Sequence, residues 1–246
     1  DLMEGVASEA ASIAGHLQLP NLCWIYDANR ISIDGSTDLA FTEDVGRRFE
    51  AYGWRVLRVD DANNLTALSQ AYRPSRKQPA KPTLIIVRSQ IGYGAPKRQG
   101  TAQAHGEPLG AEEIKGAKRH YGWPEDSQFL VPDGVRERFQ ERLGRRGKQL
   151  REAWEQTFAE YRKQHPELAD QLERMQRREL PEGWDQELPS FPADAKGMAT
   201  RESSGKVLNA LAKHYPWLLG GSADLNPSTK TYLGLSGPIY PGGDEP

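Results

Sequence analysis

Leu22-Cys-Trp-Ile-Tyr26-Asp-Ala-Asn29-Arg-Ile31-Ser-Ile33-Asp-Gly35 is an apolar run followed at once by a short polar loop. Residues 22–26 read as a buried strand, and in open α/β sheets the loops after strands are where ligands bind. This loop offers the amide oxygen of Asn29 and, two residues on, the main-chain carbonyl of Ile31. Mg2+ takes hard oxygen ligands, a few from protein and the rest from phosphate and water. The loop therefore suits a metal–diphosphate. A lone Asn at a strand end also makes an ordinary Asx turn, so Asn29 by itself leaves both readings open.

Working outward, Val6, Ala10, Ile13, Ala14 and Leu17 recur at helical spacing over residues 4–17, before the Pro20-Asn21 stop. Thr42-Glu-Asp-Val reads as a helix start with Thr42 as N-cap, and that helix runs to Tyr52. Strand 54–59 follows, then a short helix from Asn64 to Tyr72 and a third strand, Pro82-Thr-Leu-Ile-Ile-Val87. The third run is continuous and β-branched, as in a sheet covered on both faces. The alternation predicts an α/β fold, a parallel sheet flanked by helices with right-handed crossovers.

Residues 89–110 read as a long loop and 111–121 as a helix. From Asp133 to about Gln164, Val135, Phe139, Leu143, Leu150, Trp154, Phe158 and Tyr161 step by three, four or seven, which predicts one long amphipathic helix. Pro181, Pro189 and Pro192 with Gly183 and Gly197 mark an extended linker, 181–197. The expected organisation is a domain over 1–180, that linker, and the start of a second α/β domain over 198–246, with helix 201–215 and a strand leading from Trp217.

Composition removes several classes of function. The 246 residues carry a net charge of −2, so bulk charge points to no polyanion partner. The Arg and Lys residues of 133–164 alternate with Glu as on a solvated helix face, and no nucleic-acid partner is expected. The single cysteine, Cys23, rules out an internal disulfide and reads as a small core residue. No apolar run approaches the ~20 residues of a membrane span. No secretory segment opens the chain, so a soluble cytoplasmic protein is expected.

Four further candidate residues stand out. His105 lies among small residues on the long loop, in Gly100-Thr-Ala-Gln-Ala-His105-Gly-Glu107-Pro-Leu-Gly110. Arg201 opens a helix and Ser228 lies in a Gly/Ser-rich stretch; a guanidinium fork and a hydroxyl suit a phosphate, and equally a surface Arg and a capping Ser. Glu4 begins the first helix, where a carboxylate is favoured by about 0.3–1 kcal/mol from the dipole alone.

Taken together, Asp1-Leu-Met-Glu4-Gly-Val-Ala, Tyr26-Asp-x-Asn29-x-Ile31-Ser-Ile33-Asp-Gly35, the Gly-Thr-x-x-x-His105-Gly-x-Pro-Leu segment, Thr200-Arg201-x-x-Ser204 and Gly220-Gly-Ser-Ala-Asp224-Leu-x-Pro227-Ser228 closely resemble the transketolase family. The resemblance covers nearly the whole chain but only the middle of a longer protein. The family's metal motif opens with Gly-Asp-Gly, which would lie before Asp1, so the chain is expected to be a fragment or the ordered part of a longer polypeptide. The resemblance implies a thiamine diphosphate-binding fold, incomplete at both ends, with thiamine diphosphate and Mg2+ as cofactors and Ca2+ able to substitute. Asn29 and Ile31 are then the metal ligands and Ile33 an apolar wall for the thiazolium. His105 faces the diphosphate and the substrate and aids proton transfer, and Asp224 lies near the cofactor ring. Arg201 and Ser228 contribute to the sugar-phosphate site. Glu4 lies near the aminopyrimidine-activating Glu of a neighbouring subunit and couples the two sites, so a homodimer is implied. Glu107 stands where the family usually has Ala. The implied activity is transfer of a two-carbon ketol unit from a ketose phosphate to an aldose phosphate, as in the pentose phosphate pathway. Dihydroxyacetone synthase, which uses formaldehyde as acceptor, and a catalytically silent cofactor-binding fragment are the alternatives.

Overall fold

The computed structural model describes residues 2–77 and 80–241. They divide into two units, one through Leu130 together with the tail from Ile239, the other from Val131 to Pro238. The first unit is built on a sheet of β1 (Cys23–Ala28), β2 (Arg55–Val59) and β3 (Thr83–Arg88), in the order β1-β3-β2 with both pairings parallel. Cys23 stands opposite Thr83 and Ala28 opposite Arg88; on the other side of β3, Arg55 pairs with Thr83 and Val59 with Val87. The three carboxyl ends therefore share one end of the sheet, and the loops leaving β1 and β3 start side by side.

The central strand β3 is the most deeply buried, as its unbroken apolar sequence demands. One sheet face meets α1 (Gly5–His16) and α2 (Val45–Ala51) through Ala11, Ala14, Val45, Phe49, Trp54 and Leu84. The other buries Val59, Ile85 and Val87 against Ala67, Leu68 and Ala71 of α3 (Leu65–Ser75). Small residues let α1 approach closely: the Trp54 indole Nε1 donates to the Ala11 carbonyl at 2.8 Å, which satisfies its polar edge within the core. Trp24, Phe49 and Trp54 pack edge to face or tilted, with centroids 5.0 to 6.1 Å apart.

Several local expectations are corrected. The α2 helix is capped by Asp44, not Thr42: the Asp44 carboxylate accepts from Arg47 N at 3.1 Å and lies 3.5 Å from Arg58 on β2. A carboxylate gains both the capping bond and the helix-dipole attraction, so Asp44 outcompetes the hydroxyl two residues earlier. The α3 helix extends past Tyr72 to Ser75, with Asn64 accepting from Ala67 N as its cap and Pro74 in its last turn. Segment 89–110 is not all loop; it contains α4 (Ala102–Gly106), and α5 (Ala111–His120) follows.

The second unit is helical. The expected long helix forms as α6 (Val135–Phe139), a π-helical turn (Gln140–Gly144) and α7 (Arg145–Gln164) in direct succession. Next is α8 (Pro166–Arg177), which the sequence reading did not separate; Arg162 of α7 pairs with its Glu173. Residues 181–197 form neither helix nor strand. They are followed by α9 (Thr200–Ala212) and α10 (Asn226–Thr229). The strand expected from Trp217 does not form among the described residues. Leu219 is 73% exposed there, with no strand neighbour to take up its backbone groups.

Candidate functional site

The loop after β1 closes as a small braced turn. The Asn29 side-chain Oδ1 accepts from Ile31 N at 2.9 Å, Thr37 N donates to the Arg30 carbonyl at 3.0 Å, and Ser32 N donates to the Gly35 carbonyl at 2.8 Å. Arg30 between them holds φ 61°, the left-handed region. These bonds bypass the Ile31 carbonyl, which accepts none among the described residues. Asn29 Oδ1 keeps one lone pair beyond the bond from Ile31. Two hard oxygen donors thus stand two residues apart at the carboxyl end of the sheet, a set that fits a partly hydrated Mg2+ sharing its sphere with phosphate. Among the described residues no cluster of three His, Cys, Asp or Glu side chains offers a complete metal cage.

Asn29, Arg30 and Ile31 line a cleft of about 740 Å3, together with Leu2 and Met3 ahead of α1, Tyr26 and Asp27 of β1, and His105. That is within the roughly 300–1,000 Å3 usual for small-molecule sites. His105 lies on the last turn of α4 and is exposed to the cleft. The adjoining Gly106 packs on Ile33: a Cβ there would meet Ile33 Cγ1 at 3.2 Å. Ile33 and the His105 turn are thus neighbours, although Ile33 itself is 71% exposed. The His105 segment is held by Arg98, which donates to Glu107 at 3.1 Å and to the Pro108 carbonyl at 2.9 Å. Glu107, the departure from the family pattern, is therefore a partner in the brace.

Glu4 is the N-cap residue of α1; its carbonyl accepts from Ala7 N at 3.1 Å while its side chain makes no capping bond and is exposed. The segment before it is fixed by Arg48 of α2, which donates to the Leu2 carbonyl at 3.0 Å and to Ser8 Oγ at 2.5 Å and pairs with Glu43 at 2.7 Å. Burial first, then the Glu43 carboxylate, push the Tyr26 phenol above its ordinary pKa. Arg48, Tyr26 and Asp27 carried no role in the sequence reading. Asp27 lay inside the quoted motif, and only the structure reveals its partners.

Arg201, Asp224 and Ser228 belong to the second unit. Arg201 is exposed on the first turn of α9, Ser228 is exposed on α10, and Asp224 holds φ 72° in the turn before α10. The two helices touch where Gly205 meets Lys230, so closely that a Cβ on Gly205 would lie 2.6 Å from the Lys230 carbonyl. The hollow between them is lined by Glu202, Lys206, Asn209 and Lys230, and includes neither Arg201 nor Ser228.

Comparison with known proteins gives the relationship. The family described as "Transketolase, thiamine diphosphate binding domain" matches residues 1–181. The transketolase of Geobacillus stearothermophilus is 48% identical over 98% of this chain, which spans 36% of that protein. The transketolase of Bacillus subtilis is 48% identical over 96% of the chain, which spans 35% of that protein. A crystal structure of Pichia stipitis transketolase in complex with sedoheptulose 7-phosphate superposes with TM-score 0.85 at 44% identity, over 95% of this chain and 34% of the other. The chain thus spans about a third of the length of the relatives it matches. It belongs to the transketolase family, with residues 1–181 matching the family's thiamine diphosphate-binding domain.

Proposed function

We propose that this chain supplies the diphosphate- and metal-binding part of a transketolase active site. In this reading Asn29 Oδ1 and the Ile31 carbonyl hold Mg2+, or Ca2+ in its place, against the diphosphate of thiamine diphosphate. Ile33 walls the thiazolium. His105 faces the diphosphate and the substrate's first hydroxyl and aids proton transfer. Bound thiamine diphosphate supplies the electron sink for carbon–carbon bond cleavage, and the protein positions and polarises it. The observation that carries this reading is that Asn29 and Ile31, each with an oxygen lone pair left over, line one cleft with His105.

The relatives carry the transketolase name. That favours a ketose phosphate donor and an aldose phosphate acceptor over formaldehyde. Arg201 and Ser228 are assigned to the sugar phosphate and Asp224 to the neighbourhood of the cofactor ring, on motif order. The corresponding domain bounds are 1–180 and 198–246, joined by 181–197. A homodimer with Glu4 near the subunit boundary, acting in the cytoplasm, completes the proposal. Among the described residues no helix is long and apolar enough to cross a membrane.

The test is Asn29→Ala in the native polypeptide that carries these residues. Mn2+ affinity in the presence of thiamine diphosphate, read by electron paramagnetic resonance of free Mn2+, should fall at least tenfold, with ketol transfer falling in parallel. Unchanged Mn2+ affinity would remove the metal assignment.

A further inference from the structure

The proposed metal site names the donors but leaves open what makes Asn29 present oxygen rather than nitrogen. The two ends of a carboxamide have nearly the same shape and opposite chemistry: one accepts or ligates, the other only donates. In this structure both ends are held. Asn29 Oδ1 receives the Ile31 N–H at 2.9 Å, while Asn29 Nδ2 faces Asp27 Oδ2 at 3.4 Å. The other oxygen of that carboxylate, Asp27 Oδ1, accepts a hydrogen bond from the Ser89 hydroxyl.

Sheet register produces this chain of contacts. Asp27 on β1 stands opposite Val87 on β3, and Ser89 follows two residues later at the same end of the sheet. The Ser89–Asp27 bond joins residues 62 apart in sequence and ties the metal loop to the central, most buried strand. Turning the Asn29 amide over would set its NH2 against the Ile31 N–H and its oxygen against the Asp27 carboxylate, two repulsive pairs in place of two attractive ones.

We infer that Asp27, anchored by Ser89, is a positioning residue that selects the oxygen-out orientation of Asn29 at the metal. The inference rests on the metal reading of Asn29 given above. Metal sites in general depend on such outer partners, whose loss typically weakens affinity by about 10–100-fold.

The experiment measures Mn2+ binding, with thiamine diphosphate present, to the native polypeptide and to Asp27→Asn, Ser89→Ala, Asn29→Ala, Asn29→Asp and the double variant Asp27→Asn/Asn29→Asp. Thermal melting of each apo form reports the fold. An Asn at position 27 offers a donor as well as an acceptor and no longer selects one amide orientation, so Asp27→Asn should weaken Mn2+ by about tenfold or more. Ser89→Ala should weaken it by a smaller factor. In the Asn29→Asp background there is no amide to orient, so adding Asp27→Asn should cost little further. A carboxylate that ligates the ion, or attracts it by charge alone, would cost the same factor in both backgrounds, and that result would overturn the inference. So would native affinity in Asp27→Asn. If Asp27→Asn does not fold, Ser89→Ala decides: weaker Mn2+ at an unchanged melting temperature supports the inference, and native affinity overturns it. Asn29→Ala separates the two levels. If it leaves Mn2+ binding intact, the metal reading falls. If it abolishes binding while Asp27→Asn does not, only the positioning role falls.

Discussion

Arg30 holds φ 61° between the two proposed metal donors, a conformation costing an L-residue with a Cβ about 1–2 kcal/mol. Such strain survives where surrounding contacts over-determine the backbone, and here the Thr37–Arg30 and Asn29–Ile31 bonds do so. Arg30→Val adds β-branching, which makes the region a genuine outlier rather than merely uncommon, and should lower stability by roughly a further 1 kcal/mol. Arg30→Gly, which adopts it freely, should leave stability within about 0.5 kcal/mol of the native chain, since relief of strain and added unfolded-state entropy offset each other. Chemical denaturation distinguishes them, and equal midpoints would show that the loop relaxes around either residue. Tyr26, on the cleft wall, makes a second residue-level prediction. Its folded pKa lies above the ordinary value of 10.0, chiefly through burial. The folded state thus holds the phenolic proton more tightly, and this contribution to stability is intact below the ordinary pKa and lost as pH rises through the folded one. Tyr26→Phe should flatten the alkaline limb of stability against pH, and an unchanged limb would mean that another group titrates there. Asn29, Ile31 and His105 could be picked out as candidates because each sits in a local motif, and the structure brings the three to one cleft. Asp27 and Ser89 were not, because their bond depends on the alignment of β1 with β3.

Elements were legible where the periodicity of a segment agreed with its packing. β2, β3, α2 and α3 carry apolar spacing that the first unit then buries, so their existence followed from sequence and only their ends moved. α1 and β1 form as well, but α1 packs through Ala11, Ala14 and Gly15 while Val6, Ile13 and, on β1, Ile25 stay exposed. The strand expected from Trp217 failed for the opposite reason: Leu218 and Leu219 supply hydrophobicity, but a strand is made by a neighbour, and none stands beside them among the described residues. The short α4 was hidden because five residues among glycines carry no periodic signal. Glycines within helices turn this contrast into a measurement. Gly15 lies on the buried side of α1, where an added Cβ would fall 1.8 Å from the Tyr52 carbonyl oxygen, a backbone atom that cannot step aside. Gly15→Ala should cost about 2–3 kcal/mol by forcing α1 away from the end of α2. Gly147 lies within α7 with nothing within 4 Å of its would-be Cβ. Gly147→Ala should stabilise by about 0.5–1 kcal/mol through helix propensity alone. Equal effects from the two substitutions would contradict the close approach of α1.

At the scale of the molecule, burial is small for the mass. The 27.5 kDa chain exposes 18,496 Å2 of surface. Surface scaling gives about 11,000 Å2 for one compact protein of that mass, and only about 13,000 Å2 for two compact units of half the mass each. The excess is partly apolar. Val6 and Ile13 on α1 are 72% and 59% exposed, and Ile25 on the outer strand β1 is 64% exposed. On the second unit, Leu150 and Trp154 of α7 and Leu168 of α8 are at least 44% exposed. These positions follow the strand and helix periodicities of their elements, so the sequence is patterned for contacts on faces that the 246 residues leave open. Apolar area of this kind drives association at about 25 cal/mol per Å2 removed from water. The 246 residues expressed alone should therefore bind a hydrophobic dye such as ANS strongly and self-associate at micromolar concentration. Replacing Ile13 and Ile25 together by Gln should reduce both signals, because neither side chain is part of the buried core. Light scattering with dye fluorescence at a series of concentrations checks this. A monodisperse monomer without dye enhancement would show that the open faces are too dispersed to act as a surface, and the exposed isoleucines would then be ordinary surface residues.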